Sequence, residues 1–380
     1  MQTLPYVEEH QIFRQSFQRF VKNELVPHVD AWEEAGIVDK SAWRAMGEQG
    51  FLCMDVPEEY GGLGGDFLYS VIVAEELTRG GVTGLAASLH SDICVPYITS
   101  FGSEELKQRF LPRCVSGECI TAIAMTEPNT GSDLAAMKTT AVVEGDDVIL
   151  NGQKTFISNG INCDLIIVAA KDPEVEDPHG AIDLYLVEDG TPGFVKGKRI
   201  PKIGLHSQDT AELFFEDCRI PASNRLGMKG GGFLMLMDKL AQERLVVCII
   251  AVASAEMMLE WTIGYCQERK AFGKPLTKFQ NTQFELVEMA TEIRLGRTFL
   301  DTLIVDHMAG EPVVVDVSMA KYWTAEMAMR VADRCVQLHG GYGYCEEYPI
   351  ARAWRDTRVL SIFAGTSEIM KIIAARFMGL

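Results

Sequence analysis

A chain of 380 residues can bury a large interior, divided here among two or three domains. Hydrophobic residues make up 47% and charged residues 23%, which excludes intrinsic disorder, collagen and coiled-coil rods. With 35 basic against 53 acidic residues the net charge is −18, the wrong balance for a nucleic-acid binder or a protein held by charge on anionic lipid.

In chain order, residues 1–118 read as helical. Ile12, Phe13, Phe17, Phe20, Val21 and Leu25 share one helical face, and Pro27 is expected to end that segment. A glycine-rich loop follows at residues 57–66. Further apolar-periodic stretches run over 69–77 and 104–111, the second stopping ahead of Pro112. The character then changes. Segments 141–143 and 148–150 flank Gly145-Asp146-Asp147, a hairpin signal, and 165–169, 184–187 and 211–215 are further strand candidates. Gly230-Gly231-Gly232 marks the next boundary, and helix is expected from Phe233 almost to Leu380. The order helices, strands, helices makes this an α+β chain of three domains: an N-terminal α-helical domain (1–118), a middle β domain (119–228) and a C-terminal α-helical domain (229–380).

The longest apolar run, within 245–259, is preceded by Glu243 and Arg244 and interrupted by Glu256, too short and too charged for a membrane span. Residues 1–10 show no basic region leading into an apolar core, so no secretory signal is expected. The ten cysteines lack framework spacing, and neither Cys114 and Cys119 nor any histidine pair completes a metal site; reduced thiols in a cytoplasmic protein are expected.

No Rossmann fingerprint, P-loop, zincin helix or nucleophile elbow is present. Five blocks stand out. Thr126-Glu127-Pro128-Asn129-Thr130-Gly131-Ser132-Asp133 follows an apolar run and can aim backbone N–H groups and hydroxyls at a phosphate or ring edge, or serve as a plain turn. The others are residues 152–160, Glu268-Arg269-Lys270-Ala271-Phe272-Gly273, residues 337–343, and Phe363-Ala364-Gly365-Thr366-Ser367-Glu368-Ile369. Each is weak alone; together, in this order on this plan, they are specific.

On these blocks the chain resembles the acyl-CoA dehydrogenases from about Gln11 to Leu380, and the long-chain type most of all, through residues 125–134, 209–217, 319–323 and 335–349. The resemblance implies the three-domain fold of that family, with a β-barrel-like middle domain and a C-terminal bundle. It implies FAD, an acyl-CoA substrate, an electron-transfer flavoprotein as acceptor and a homotetramer. Met125 and Thr126 would meet the pyrimidine side of the flavin, Phe156 would cover the ring, and Ser158 would bond near its N5. Arg269, Phe272, Gln280, Gln337, Gly340 and Gly341 match positions that contact the pyrophosphate and adenine, partly across subunits. Thr366 and Glu368 open the last helix at the same cofactor. Read as residues alone, Arg269 is equally a surface ion pair, Gly340-Gly341 a turn and Thr366 a cap.

The informative departure concerns the base. Removing an α proton from a thioester needs a carboxylate whose pKa is raised by apolar surroundings. Many family members carry that glutamate two residues before the threonine of the fifth block, where this chain has Ala364. The long-chain and isovaleryl types carry it on the first long C-terminal helix, which here reads Ala241-Gln242-Glu243-Arg244-Leu245. Glu243 enters an apolar stretch and is the expected base, the alternative being a surface ion pair. The N–H of Ala364 would still serve the oxyanion hole. Ser132 and Arg244 match CoA-contacting positions, Arg244 alternatively being a packing or ion-pair residue. The resulting expectation is α,β-dehydrogenation of a fatty acyl-CoA, long-chain over short branched, against an acyl-CoA oxidase and against a non-catalytic scaffold that binds without turnover.

Overall fold

A computed structural model describes residues 4–380. Its helices are α1 (Glu8–Phe20), α2 (Val29–Ala35), α3 (Lys40–Glu48), α4 (Phe67–Arg79), α5 (Val95–Phe101), α6 (Glu104–Val115), α7 (Gly232–Glu268), α8 (Gln280–Met308), α9 (Val314–His339), α10 (Pro349–Thr357) and α11 (Ser367–Phe377). The strands β1 (Thr121–Ala124), β2 (Thr140–Glu144), β3 (Asp147–Ser158), β4 (Leu165–Lys171), β5 (Ile182–Glu188), β6 (Phe194–Arg199), β7 (Thr210–Pro221) and β8 (Arg225–Leu226) lie between α6 and α7, and a short hairpin, β9 (Lys270–Ala271) and β10 (Lys274–Pro275), follows α7.

The strands form one mixed sheet in the order β6-β7-β3-β2-β4-β5-β8, with β1 parallel to β4. Strict alternation along β4 decides which layer each residue serves. Leu165, Ile167 and Ala169 face a core shared with α1 to α6. Ile166, Val168 and Ala170 face a second core, which the strands wrap with residues from β1 through β7, the barrel-like middle of the expectation. A third core joins α4 to α7, α8, α9 and α10. Residues 145 and 146 form the two-residue loop of the β2–β3 hairpin, with Glu144 paired to Asp147 and Gly145 at φ +64°.

Buried polar ties join these layers. Arg14 of α1 bonds Glu75 (2.9 Å) and Glu76 of α4, and Arg297 of α8 reaches the same Glu75 at 2.6 Å and Glu256 of α7 at 2.9 Å. Asp356 of α10 accepts from the Leu205 N–H (2.6 Å) and from the Thr83 hydroxyl (3.0 Å), linking all three parts of the chain.

Four local expectations need correction. Pro27 ends no helical path: α1 passes through a π turn (Val21–Leu25) and a 3₁₀ turn (Val26–His28) into α2, so the lost N–H is absorbed where the ladder is already irregular. Pro112 sits inside α6, three residues before its end, where the Ser103 hydroxyl caps the start. Ile12 lies on the exposed side of α1, while Phe17, Val21 and Leu25 are buried. Finally, α7 is 37 residues long with an 18-residue window of mean hydropathy 1.8, long and apolar enough to span a bilayer by length and composition. That window is 72% buried within the protein, so its apolar residues serve the core.

Candidate active site

Glu243 and Arg244 lie one turn before the most apolar part of α7. Arg244 is buried (6% exposed), and Oε2 of Glu243 is sealed from solvent with no hydrogen-bond partner among the described residues. Burial raises the Glu243 pKa to about 7, against the pull of Arg244 and Lys321 toward the charged form. The expected apolar surroundings are therefore present. A carboxyl raised this far from its ordinary range can both accept a proton and hold it near neutral pH.

Ala364 sits in the turn between the 3₁₀ segment Arg358–Ser361 and α11, at φ +52°, a left-handed conformation that costs an L-residue about 1–2 kcal/mol. Lys321 of α9, wholly enclosed, donates to the carbonyl oxygens of Phe363 (2.8 Å) and Gly365 (2.6 Å) on either side of it. Lys321 links the two expected catalytic positions: it holds the Ala364 turn and acts electrostatically on Glu243. Tyr97 of α5 and Cys94 beside it also feel the Glu243 charge, so the carboxyl faces the N-terminal helices as well as the bundle.

The second block is β3 at a bulge. Pairing with β7 shifts register between Lys154 and Ile157, leaving Phe156 at φ +58° with its side chain 65% exposed. Ser158 pairs with Thr210 at the strand end. Next to the bulge, the Thr155 N–H donates to the Thr126 carbonyl at 2.9 Å. The fully enclosed Lys154 donates to the Met125 carbonyl (3.1 Å) and to Glu127 (2.8 Å). Glu127 in turn accepts from the N–H groups of Lys138 and Thr139. Met125 and Thr126 are thus tied to the C-terminal half of β3, which carries Phe156 and Ser158, while Ser132 lies exposed in the loop beyond.

A cavity of about 380 Å³ gathers Arg269, Gly340 and Gly341 with Tyr265, His339 and Tyr342. The Arg269 guanidinium lies over the Tyr342 ring, 5.4 Å from its centroid. Gly340, at φ +61°, ends α9, and a Cβ added to it or to Gly341 would meet nothing within 4 Å. Phe272 (95% exposed), Gln280 and Gln337 stand on the surface outside this cavity. Thr366 caps α11 by accepting from the Ile369 N–H at 3.3 Å, and Glu368 follows in the first turn. Thr366→Ala is expected to cost about 1 kcal/mol of stability, read as a lowered urea midpoint; an unchanged midpoint excludes the cap.

Lys321, Lys154 and Glu127 escaped the sequence reading as functional residues. For Lys321 the signal was available: it falls on the stripe Val317, Ala320, Thr324, Ala328, Val331, where a lone cation among core positions needs a partner.

Family models for the N-terminal, middle and C-terminal domains of acyl-CoA dehydrogenase match residues 7–118, 122–218 and 230–379. The chain is 48% identical to the long-chain specific acyl-CoA dehydrogenase, mitochondrial, of Sus scrofa over 98% of this chain and 86% of that protein. It is 36% identical to the short-chain specific acyl-CoA dehydrogenase of Clostridium acetobutylicum over 96% of each. The crystal structure of an acyl-CoA dehydrogenase from Geobacillus kaustophilus superposes with a TM-score of 0.98 at 56% identity, covering 99% of this chain and 100% of that one. The chain belongs to the acyl-CoA dehydrogenase family. It is a flavin-dependent oxidoreductase of that class.

Proposed function

We propose that the chain converts a long-chain fatty acyl-CoA to its trans-2-enoyl-CoA, with FAD as the flavin and Glu243 as the base. The observation that carries this reading is the Glu243 carboxyl, whose Oε2 is sealed from solvent without a hydrogen-bond partner among the described residues and whose pKa is raised to about 7, on a chain whose other candidate position for a base is Ala364. The residues suit FAD. Arg269 brings a cation to a cavity whose glycines leave room for close approach to the backbone, as a pyrophosphate requires. Phe156 offers an exposed ring, with Met125, Thr126 and Ser158 beside it as polar contacts, and the start of α11 at Thr366 and Glu368 completes the set.

When bound, the flavin supplies the acceptor for the hydride leaving Cβ. Glu243 takes the α proton. The Ala364 N–H donates to the thioester oxygen as charge gathers there, which acidifies the α C–H. Arg244 and Ser132 are assigned to the CoA portion. The surface positions Phe272, Gln280 and Gln337 suit a cofactor held by a neighbouring copy, and with them we propose a homotetramer. An electron-transfer flavoprotein would reoxidise the flavin. Nine buried, unpaired thiols favour a reducing, cytoplasmic setting.

Long-chain preference rests on the greater likeness to the long-chain relative. The test is anaerobic flavin bleaching with palmitoyl-, butyryl- and isovaleryl-CoA. Palmitoyl-CoA is expected to bleach fastest. Faster bleaching by isovaleryl-CoA moves the substrate to the short branched class, and bleaching by none removes the dehydrogenase assignment.

A further inference from the structure

The buried lysine between the two expected catalytic positions has no place in the reaction as derived above, and its geometry is specific. Ala364 and Gly365 are consecutive left-handed residues, at φ +52° and +92°. Alanine does not hold that conformation by itself. One carbonyl before and one at the end of this pair point at the same Nζ of Lys321, at 2.8 and 2.6 Å. The Phe363 carbonyl shares its peptide plane with the Ala364 N–H, so its bond to the ammonium fixes the direction of that N–H, while the Gly365 carbonyl, in the plane that leads into Thr366, holds the far side of the turn to the same point. Thr366, capping α11 one residue later, anchors the far end of the turn. Burying a lysine is expensive, and the cost is offset here by two backbone acceptors rather than by a paired carboxylate.

We propose that Lys321 is a positioning residue for the thioester site: by clamping the carbonyls of Phe363 and Gly365 it aims the Ala364 N–H at the thioester oxygen. The proposal rests on the reading that Ala364 supplies the oxyanion donor. A lysine that only stabilises the fold would change unfolding but not the acidity of a bound thioester. The clamp changes that acidity.

The test uses the flavin-loaded protein and an acyl-CoA carrying sulfur in place of C3. This analogue can lose its α proton but has no Cβ hydrogen to transfer, so its ionisation, read as long-wavelength absorbance against pH, reports proton loss to the enolate without hydride transfer. Removing one oxyanion donor costs other enzymes about 10²–10³-fold, and misaiming one is expected to cost somewhat less. In Lys321→Met the analogue should ionise about tenfold to a hundredfold less readily, an upward shift of about one to two pH units, while its binding changes less than about threefold. Lys321→Gln, which keeps N–H donors on a shorter, uncharged side chain, should fall between and serves if the Met variant loses flavin. Unchanged analogue ionisation in flavin-loaded Met or Gln variants overturns the proposal. So does loss of flavin from both, which would assign Lys321 to the fold. Glu243→Gln run alongside separates the two readings: if it still bleaches with palmitoyl-CoA the base assignment fails, whatever Lys321 does.

Discussion

Glu243→Gln is expected to abolish flavin bleaching by acyl-CoA while leaving flavin and substrate bound. The amide keeps the shape of the carboxyl and cannot accept a proton. General-base removal costs roughly 10²–10⁴-fold, and the absence of a second buried, unpartnered carboxylate on α7 among the described residues places this case at the upper end. In the unaltered protein, kcat/KM should fall about tenfold per pH unit below about 7, where Glu243 becomes protonated, and level off above. Stability runs the other way. The folded-state pKa of about 7 exceeds the ordinary 4.5, so the folded chain holds this proton after the unfolded chain has lost it. Stability contributed by the protonated form is complete below 4.5 and is lost as pH rises toward 7. The charged carboxylate at neutral pH therefore costs of the order of 3 kcal/mol, which the neutral Gln variant avoids. A variant that is inactive and more stable at pH 8 than the parent fits a base held in an unfavourable site. A variant that still bleaches flavin at the parental rate removes Glu243 from the reaction.

Lys154→Met is expected to be the most destabilising single change near the end of β3 proposed to face the flavin. Lys154 is wholly enclosed and Glu127 is 6% exposed; they meet at 2.8 Å. Burial pushes Glu127 up, but Lys154 and the N–H groups of Lys138 and Thr139 outweigh it and leave the carboxyl below its ordinary value. Removing one partner of such a buried pair costs about 3–5 kcal/mol, because the other charge stays behind unpaired. The same change frees the Met125 carbonyl, so flavin affinity should fall with stability. Glu127→Gln combined with Lys154→Met should recover a large part of the stability, since no lone charge then remains, but not the grip on Met125. The comparison is urea unfolding together with flavin content after dialysis. A single variant as stable as the parent would show that the pair is not sealed from water.

Much of this molecule could be read from the order of its residues. The 3.6-residue spacing in α1 and α4, the Gly145-Asp146 turn and the glycine triplet before α7 are local signals, and the elements form where those signals lie. Glu243 was legible only through the family resemblance and the alanine at 364; its spacing before Leu245, Val246, Val247, Ile249 and Ile250 suited a surface ion pair equally well. Alternation in β1 and β6 was too brief or too polar to mark them as strands, and Pro27 and Pro112 misled because a proline removes one bond and does not forbid an irregular helical path.

What only the tertiary structure decided are the pairings across long stretches of chain. That Lys321 holds the peptides around residue 364, and that Lys154 holds the carbonyl of Met125 and the carboxylate of Glu127, depends on which helix lies against which turn. Sequence alone determined only that a lysine on the core stripe of α9 would need partners, because a buried ammonium must be satisfied; nothing local marked Lys154 as buried. It could not choose the partners, because any carbonyl or carboxylate brought near by packing would serve. The left-handed backbone at Phe156 and Ala364 has the same origin: no local preference of phenylalanine or alanine produces it, and it persists because the β3 bulge and the Lys321 clamp impose it from outside.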